Sequence, residues 1–211
     1  MNAAVSQTLP ALIEGPRPVR IEGSRIARAL LGLFGWRVDF DGLPTPQGVV
    51  MVYPHTSNWD FVIGIFAKWA IGIPVRFWAK DSLFRVPLFG HWVRWIGGVA
   101  VNRASRNGLV ADTAQALEQA RQHNEFFWLA VAPEGTRSRT EGWRSGAYQV
   151  ARQTGVPVGL ATLDFGRKCV SFTRFVAISG EPEADFALFA HQLAGCQGKR
   201  AELASPIRLR S

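Results

Sequence analysis

Residues 49–70 read VVMVYPHTSNWDFVIGIFAKWA and hold a strand, a polar loop and a helix in immediate succession. The first five residues are apolar, and they follow the turn-forming sequence PTPQG at residues 44–48. Such a run predicts a buried strand at Val49–Tyr53. Ser57 and Asp60 supply a helix start, and the apolar residues that follow continue without proline, so a helix is expected next. A buried strand followed at once by a helix is the basic unit of an α/β sheet.

The same alternation continues along the chain. Short apolar runs predict further strands at Val75–Ala79, Gly98–Asn102, Phe126–Ala132, Val156–Leu163 and Lys168–Ile178. Helical spacing or composition predicts further helices at Ser24–Trp36, Gly108–Gln122, Ser145–Thr154 and Asp185–Gly195. The sequence therefore predicts a single α/β domain, with a central mixed β-sheet flanked by helices and an amphipathic helix near the N-terminus.

The expected organisation has three parts. Residues 1–23 contain several prolines and are interpreted as a flexible N-terminal arm. Residues 24–198 carry the alternating strands and helices and form the domain. Residues 199–211 are rich in arginine and are interpreted as a basic C-terminal tail.

Composition and charge limit the classes of function. The chain has 211 residues, of which 47% are apolar and only 19% charged, so it is neither disordered nor fibrous. The formal net charge of +8 implies an anionic partner, which can be a nucleic acid, a phospholipid surface or a phosphorylated substrate. The two cysteines lack the spacing of a disulfide framework or a metal site, which is typical of a reducing compartment.

The segment PHTSNWD, residues 54–60, carries the clearest chemistry. His55 is expected at the strand end and Asp60 in the first turn of the next helix, so their side chains can meet. An Asp that accepts from one ring nitrogen fixes the tautomer and leaves the other nitrogen as a general base. Ser57 and Asp60 also fit a capping box, in which Asp60 serves only the helix end. The spacing alone leaves both interpretations open.

Two more segments follow predicted strands and carry arginine. They are GGVAVNR at residues 97–103 and PEGTRSR at residues 133–139. Guanidinium groups, together with the hydroxyls of Thr136 and Ser138, suit a phosphate monoester, which needs several donors around its oxygens. Glu134 is expected to organise its loop. The alternative for each arginine is solvated surface charge.

In this order, the segments resemble the sequence blocks of the glycerolipid acyltransferase superfamily, whose best-known members are 1-acylglycerol-3-phosphate acyltransferases. The His-x4-Asp block of that superfamily matches residues 55–60, and a Gly-x-Ile-x-x-x-Arg-like block matches residues 97–103. The block Glu-Gly-Thr-Arg-Ser stands unaltered at residues 134–138. The fourth block, of the type Val-Pro-Ile-x-Pro, is matched only by VPV at residues 156–158. Four ordered blocks are far more specific than any one of them.

The resemblance covers about Trp36 to Asp164 and implies that the domain at residues 24–198 is an acyltransferase. It would move a fatty acyl group from acyl-CoA or acyl carrier protein to the hydroxyl of a lysophospholipid or a related glycerolipid phosphate. His55 would act as the base and Asp60 as its partner, without a metal, a further cofactor or an acyl-enzyme intermediate. An oxyanion donor is expected at the helix start near Ser57. The implied substrate-binding residues are Arg103, Glu134, Gly135, Thr136, Arg137 and Ser138.

Residues 76–106 mix arginines with tryptophan and phenylalanine. This mixture suits a membrane interface, stacking on nucleic-acid bases, or a core of aromatic side chains beneath solvated arginines. Because acyl substrates require a lipid surface, the expected partners are a phospholipid membrane and a lysophospholipid, and not nucleic acid. No apolar stretch reaches the ~18 residues needed to span a bilayer. The expected location is therefore cytoplasmic, peripheral on the inner membrane.

Two other classes of function stay open. A catalytically silent lipid-binding protein of the same fold would bind lysolipid without releasing thiol from acyl-CoA. A basic nucleic-acid-binding protein would show salt-dependent retention on DNA or RNA that anionic vesicles do not match. Neither class explains why His55, Asp60 and the block at residues 134–138 occur together.

Overall fold

The computed structural model describes residues 9–101 and 106–210, which fold into helices around one sheet. The strands are β1 (Ala11–Leu12), β2 (Arg37–Phe40), β3 (Gln47–Tyr53), β4 (Arg76–Lys80), β5 (Gly98–Val101), β6 (Phe127–Val131), β7 (Val158–Asp164) and β8 (Cys169–Ala177). The α-helices are α1 (Arg25–Leu33), α2 (Trp59–Ile71), α3 (Phe89–Trp95), α4 (Arg106–Gln122), α5 (Gly146–Thr154) and α6 (Pro182–Gln192). Short 3₁₀ helices lie at Asp81–Arg85 and Ala201–Leu203.

The strand order in the sheet is β1-β8-β7-β3-β6-β4-β5. The neighbours from β7 to β5 run parallel, whereas β8 runs antiparallel to β7. The outer edge of β8 pairs with β1 at one end and with β2 at the other. The mixed sheet and its flanking helices confirm the predicted fold class. Because the strands from β7 to β5 are parallel, their carboxyl ends lie at one edge of the sheet.

The central strand β3 contributes side chains to two apolar layers, one on each face of the sheet. Met51 belongs to the layer that also holds Tyr148 of α5 and Phe186 of α6. Val50 belongs to the opposite layer, with Leu31 of α1. A strand that is covered on both faces has a continuous apolar run instead of an alternating one, which is why its position could be predicted.

Helix α1 presents its larger apolar side chains outward. The helix begins after Ser24, whose hydroxyl accepts a hydrogen bond from the Ala27 amide at 3.2 Å. Its buried positions are Ala27 and Leu31, and the helix packs on α2. The residues that defined the predicted amphipathic pattern are all exposed: Ile26, Leu30, Leu33 and Phe34. In the described part of the chain, every helix is too short or too polar to cross a bilayer.

Residues 9–23 are not the loose arm that the sequence suggested. β1 pairs with β8, and the backbones of Val19 and Leu43 exchange two hydrogen bonds, at 3.2 and 3.0 Å. A two-residue strand and an isolated bridge produce no periodic pattern in the sequence. The prolines were therefore the main local signal, and they favour an arm without regular structure. The rest of the predicted arm, residues 1–8, lies outside the described residues.

Residues 199–210 are likewise packed on the domain and do not form a separate basic tail. Ser205 is only 1% exposed. The Trp143 amide donates to the carbonyl of Arg208 at 2.8 Å, and the Arg210 amide donates to the Trp143 carbonyl at 2.8 Å. Most of these contacts are made by backbone groups, so the amino-acid composition of the segment could not predict them. Residue 211 lies outside the described residues.

Asp185 fastens α6 to α5. Its side chain is fully buried and accepts from the Tyr148 hydroxyl at 2.7 Å, from the amide and hydroxyl of Ser179 at 2.7 and 2.9 Å, and from the Gly180 amide at 3.0 Å. Burial and this carboxylate raise the pKa of Tyr148, so the phenol stays protonated and donates. One buried carboxylate thus joins two helices and the loop before α6.

Asp185→Ala should lower the free energy of unfolding by about 3 kcal/mol, because it leaves several buried donors unpaired. Urea denaturation measures the loss. Asp112→Ala, an exposed position on α4, is the matched control and should change stability by less than about 0.5 kcal/mol. A loss below about 1 kcal/mol for Asp185→Ala would contradict its role as the fastening group.

Candidate active site

Polar loops leave the carboxyl ends of neighbouring strands and meet at one edge of the sheet. β3 is followed by residues 54–58, β6 is followed by residues 132–145, and β4 ends at Lys80. β6 lies between β3 and β4 in the sheet, so these three chain segments are neighbours. β5 ends at the same edge, but Arg103, which was predicted to bind substrate, lies outside the described residues.

A cavity of about 1170 Å³ opens at this edge, with residues of both β4 and β6 in its wall. The two strands pair only where Arg76 and Phe77 face Leu129 and Ala130, so the end of β4 leaves β6 and makes room. The apolar part of the wall includes Val52, Phe61, Ile65, Val75, Phe77 and Trp78. The polar part includes His55, Asp60, Lys68, Lys80, Gly135, Thr136, Arg137, Arg144 and Arg210.

The structure brings His55 and Asp60 together at the cavity wall. His55 Nδ1 lies 3.2 Å from Asp60 Oδ2, and the side chains are 22% and 1% exposed. The same oxygen accepts hydrogen bonds from the amides of Thr56 at 2.6 Å and Ser57 at 2.7 Å. Asp60 therefore combines both roles that the sequence left open, since it holds the start of α2 and the imidazole ring together.

This contact decides which nitrogen of His55 is available. A carboxylate accepts but does not donate, so Nδ1 carries a hydrogen and Nε2 keeps its lone pair. The other carboxylate oxygen, Asp60 Oδ1, is buried without a hydrogen-bond partner among the described residues. The buried negative charge stabilises the imidazolium that forms when Nε2 takes a proton. The pair can therefore act as a general base on a hydroxyl group in the cavity.

Three amides near Ser57, at the helix start where the oxyanion donor is expected, have acceptors within the protein. The Ser57 amide points at Asp60, as does the amide of Thr56. The Trp59 amide donates to the Ser57 hydroxyl at 3.2 Å. These amides hold the loop and the start of α2 in place, so they are not directed at a ligand in the cavity.

Glu134 holds the loop of His55 from behind. Its side chain is 1% exposed. Oε1 accepts from the His55 amide at 2.6 Å, and Oε2 accepts from the Ser205 amide at 2.9 Å. Burial raises the pKa of Glu134, and the hydrogen bonds from His55 and Ser205 oppose that rise. The prediction that Glu134 binds substrate is corrected, because both carboxylate oxygens serve the backbone. The sequence spacing gave no sign of these distant partners.

The other residues of the block divide between cavity and solvent. Gly135 has φ of +67°, and a Cβ added there would lie 2.4 Å from Arg144 Nε, so this position needs glycine. Gly135, Thr136 and Arg137 lie on the cavity wall. Ser138 is exposed, outside the cavity wall, and its amide donates to the Thr136 hydroxyl at 3.3 Å. The structure therefore places three of the four residues where a ligand in the cavity could reach them, and leaves Ser138 outside.

The cavity wall is strongly positive. Among the described residues, the one acidic residue on the wall is Asp60, which already faces His55. The cationic residues on the wall are Lys68, Lys80, Arg137, Arg144 and Arg210. Lys68 is partly committed, since its Nζ donates to the Ile96 carbonyl at 2.5 Å and burial lowers its pKa. Such an excess of positive charge favours an anionic ligand.

Sequence reasoning did not single out Lys68, Arg144 or Arg210 as site residues. Lys68 stands in an apolar helix, and its Nζ contacts Ile96, 28 residues further along the chain. Arg144 follows buried Trp143 and approaches the site through its backbone bond to the Pro133 carbonyl, at 2.9 Å, within the same loop. A periodic pattern cannot reveal either contact, because both depend on how non-helical segments fold back on the domain.

Comparison with known proteins places the chain in a family. The acyltransferase family model matches residues 37–159, which include the His55–Asp60 pair and the block at residues 134–138. The chain belongs to the acyltransferase family. The match covers β2 to the start of β7 and ends before residues 198–210.

Two curated relatives are similar over the same central region. The chloroplastic 1-acyl-sn-glycerol-3-phosphate acyltransferase BAT2 of Brassica napus is 27% identical over 61% of this chain and 37% of that protein. A 1-acyl-sn-glycerol-3-phosphate acyltransferase of Chlamydomonas reinhardtii is 30% identical over 58% of this chain and 36% of that protein. The matched region thus spans little more than a third of these relatives. A crystal structure of the 1-acyl-sn-glycerophosphate acyltransferase PlsC from Thermotoga maritima gives a TM-score of 0.48 at 18% identity, covering 79% of this chain and 73% of that one.

Glu134→Gln tests the anchoring of the His55 loop. Glutamine has one oxygen and one amide nitrogen, so either the His55 amide or the Ser205 amide must lose its acceptor. We expect the free energy of unfolding to fall by about 1–3 kcal/mol. Hydrogen–deuterium exchange should also become faster at one or both of these amides.

Glu141→Gln is the matched control, because Glu141 is an exposed glutamate in the same loop. It should leave both stability and exchange unchanged. Unchanged exchange at both His55 and Ser205 in Glu134→Gln would show that the carboxylate does not hold the loop.

Proposed function

We propose that the protein is an O-acyltransferase that moves a fatty acyl group from acyl-CoA or acyl carrier protein to the hydroxyl of a lysophospholipid or related glycerolipid phosphate. The observation that carries the proposal is the His55–Asp60 pair on the wall of a cavity that is lined by both cationic and apolar residues. The cationic residues suit the phosphate of the acceptor, and the apolar residues suit an acyl chain. The names of the curated relatives agree with such an acceptor.

In the proposed reaction, Nε2 of His55 removes the proton from the acceptor hydroxyl as its oxygen attacks the thioester carbonyl. The tetrahedral intermediate then collapses, the carbon–sulfur bond breaks and the thiolate leaves. The imidazolium returns the proton to the thiolate, so thiol and acylated acceptor are the products. Asp60 orients the ring and stabilises its positive charge throughout.

A covalent route through Cys169 has no support in the structure. Its thiol donates to Asp39 Oδ2 at 3.1 Å and does not lie on the cavity wall. Burial is the main cause that raises the pKa of Cys169, and the hydrogen bond to Asp39 raises it further. The reactive thiolate is therefore disfavoured. Direct transfer with His55 as base is therefore the proposed chemistry.

Arg137 is proposed to hold the acceptor phosphate. Its exposed guanidinium lies on the cavity wall and makes no hydrogen bond or ion pair within the described residues. A guanidinium that no carboxylate occupies is available to a phosphate oxygen. Thr136, next to it on the wall, adds a hydroxyl of the kind that completes a phosphate site.

His55→Ala should reduce turnover by about 10²–10⁴, the usual contribution of a general base, without loss of fold. Lysolipid-dependent release of thiol from acyl-CoA measures turnover, and circular dichroism checks the fold. His123→Ala, an exposed histidine after α4, is the control and should keep full activity.

Near-normal turnover by purified His55→Ala would exclude the proposed mechanism. Wild-type protein that binds lysolipid but releases no thiol with either donor would instead be a silent lipid-binding protein.

We also propose that the protein acts at an anionic membrane surface, against which two exposed apolar groups lie. One is the outer face of α1, and the other comprises Leu83, Val86, Leu88, Phe89, Trp92 and Trp95. Trp69 links them, since its carbonyl accepts from the Ser24 amide at 2.8 Å and its ring lies 6.2 Å from that of Trp95. The cytoplasmic location stays a prediction.

The apolar surface continues into the cavity. Phe61 is part of the cavity wall, and its ring lies 6.3 Å from Trp92 and 5.8 Å from Phe77. An acyl chain can therefore pass from the exposed surface into the cavity along aromatic side chains. Arg25, Arg85 and Arg94 stand beside the exposed apolar residues and suit anionic head groups.

Vesicle flotation across a salt series tests the membrane proposal. Wild-type protein should float with anionic vesicles at low salt and keep part of its binding at 1 M salt, where the Debye length is only ~3 Å. The Trp92→Ala, Trp95→Ala double variant should lose the salt-resistant part, because each buried large apolar side chain contributes about 1.5–3 kcal/mol.

Leu9→Ala is the control, since Leu9 is an exposed apolar residue beside β1, at the other edge of the sheet from β5. It should float as the wild type does. No flotation at low salt, or full flotation of the double variant at high salt, would remove these tryptophans from the membrane contact.

A further inference from the structure

Residues 198–210 lie beyond the region that the family model matches, yet they contact both loops of the candidate active site. The Arg200 amide donates to the Thr56 hydroxyl at 3.2 Å. Gly198 packs so closely on this loop that a Cβ there would lie 2.6 Å from Thr56 Oγ1. Lys199 Nζ lies 4.7 Å from the centre of the Trp59 ring. The start of this segment is thus fitted to the loop that carries His55.

The middle of the segment is fitted to the second loop. The Ser205 amide donates to Glu134, and the Ser205 hydroxyl accepts from the Thr140 amide at 3.1 Å. The Tyr53 hydroxyl donates to the Ser205 carbonyl at 3.2 Å. Ser205 therefore connects the end of β3 with the loop after β6, so its position is fixed relative to both.

The end of the segment runs beside Trp143. The fully buried Trp143 pairs with Leu209 as an isolated bridge, with backbone hydrogen bonds to Arg208 and Arg210 on either side. This pairing places Arg210 close to the chain at Arg144, and both side chains lie on the cavity wall. The backbone of Arg210 is therefore held in place while its side chain faces the cavity.

The Arg210 guanidinium has no partner among the described residues. It is exposed and makes no hydrogen bond, ion pair or ring contact with any residue in the described part of the chain. Its neighbour Arg208 is different, because its Nε donates to the Glu141 carbonyl at 2.7 Å and its side chain does not lie on the cavity wall. The guanidinium of Arg210 is therefore available to a ligand, whereas that of Arg208 is already used within the protein.

We propose that Arg210 is a substrate-binding residue that contacts a phosphate group in the cavity. A guanidinium whose backbone is held at the wall, without a carboxylate and beside other cations, is a donor for an anion with several oxygens. The inference rests on the proposed function, in which both the glycerolipid acceptor and a CoA donor carry phosphate. The segment at residues 198–210 thus supplies a ligand contact as well as two anchors for the active-site loops.

Isothermal titration of wild type, Arg210→Ala and Arg208→Ala tests this role without requiring turnover. The probes are 1-hexanoylglycerol 3-phosphate, coenzyme A and neutral 1-hexanoylglycerol. Arg210→Ala should weaken binding of at least one phosphate probe by roughly tenfold, the effect of one charge-assisted hydrogen bond. Binding of the neutral probe, and every affinity of Arg208→Ala, should remain as in wild type. The probe that is weakened identifies the phosphate that Arg210 contacts.

Equal affinities of wild type and Arg210→Ala for both phosphate probes would overturn the assignment. An equal loss in Arg208→Ala would also overturn it, since the effect would then be general surface charge. Failure of wild type to bind either phosphate probe would overturn it as well. If Arg210→Ala shows the selective loss while wild type gives no acyl transfer, Arg210 binds phosphate and only the proposed reaction fails.

Discussion

The structure of the site depends on one buried carboxylate. Glu134 accepts a hydrogen bond from the His55 amide with one oxygen and from the Ser205 amide with the other. These residues stand far apart in the sequence, at the end of β3, after β6 and beyond α6. A buried carboxylate is costly unless donors surround it, so the three segments must meet for the fold to tolerate its charge. The requirement that stabilises Glu134 therefore also fixes the position of His55.

Asp60 and Glu134 are both buried, but they have different tasks. Asp60 reaches the cavity wall and shares one oxygen among the His55 ring and two amides of its own loop. Glu134 stays behind the wall and contacts backbone. One carboxylate therefore sets the tautomer and orientation of the imidazole, and the other sets the position of its backbone. This division explains how His55, although it lies on a loop, is held in one position.

The fold and part of the site could be predicted from the sequence. The buried strands could be predicted because they are short continuous apolar runs. The His55–Asp60 pair could be predicted because the two residues are only five positions apart, across a strand end and a helix start. That Glu134 organises its loop could be predicted, but its partners could not, because Ser205 lies 71 residues away in the chain. The attachment of residues 199–210 could not be predicted either, because it uses backbone groups that every residue possesses. The outward direction of the apolar face of α1 depends on packing of Ala27 and Leu31, which spacing alone does not reveal.

The cavity lies where β4 separates from β6. Phe77 is the last residue of β4 that pairs with β6, and beyond it the strand remains paired with β5 alone. The gap admits Phe61 of α2 from the side of the exposed aromatic residues and Arg137 from the loop after β6. Apolar side chains and cations therefore line the same cavity as His55. Because β6 lies between β3 and β4, the order of the parallel strands brings α2 and the loop after β6 to this one cavity.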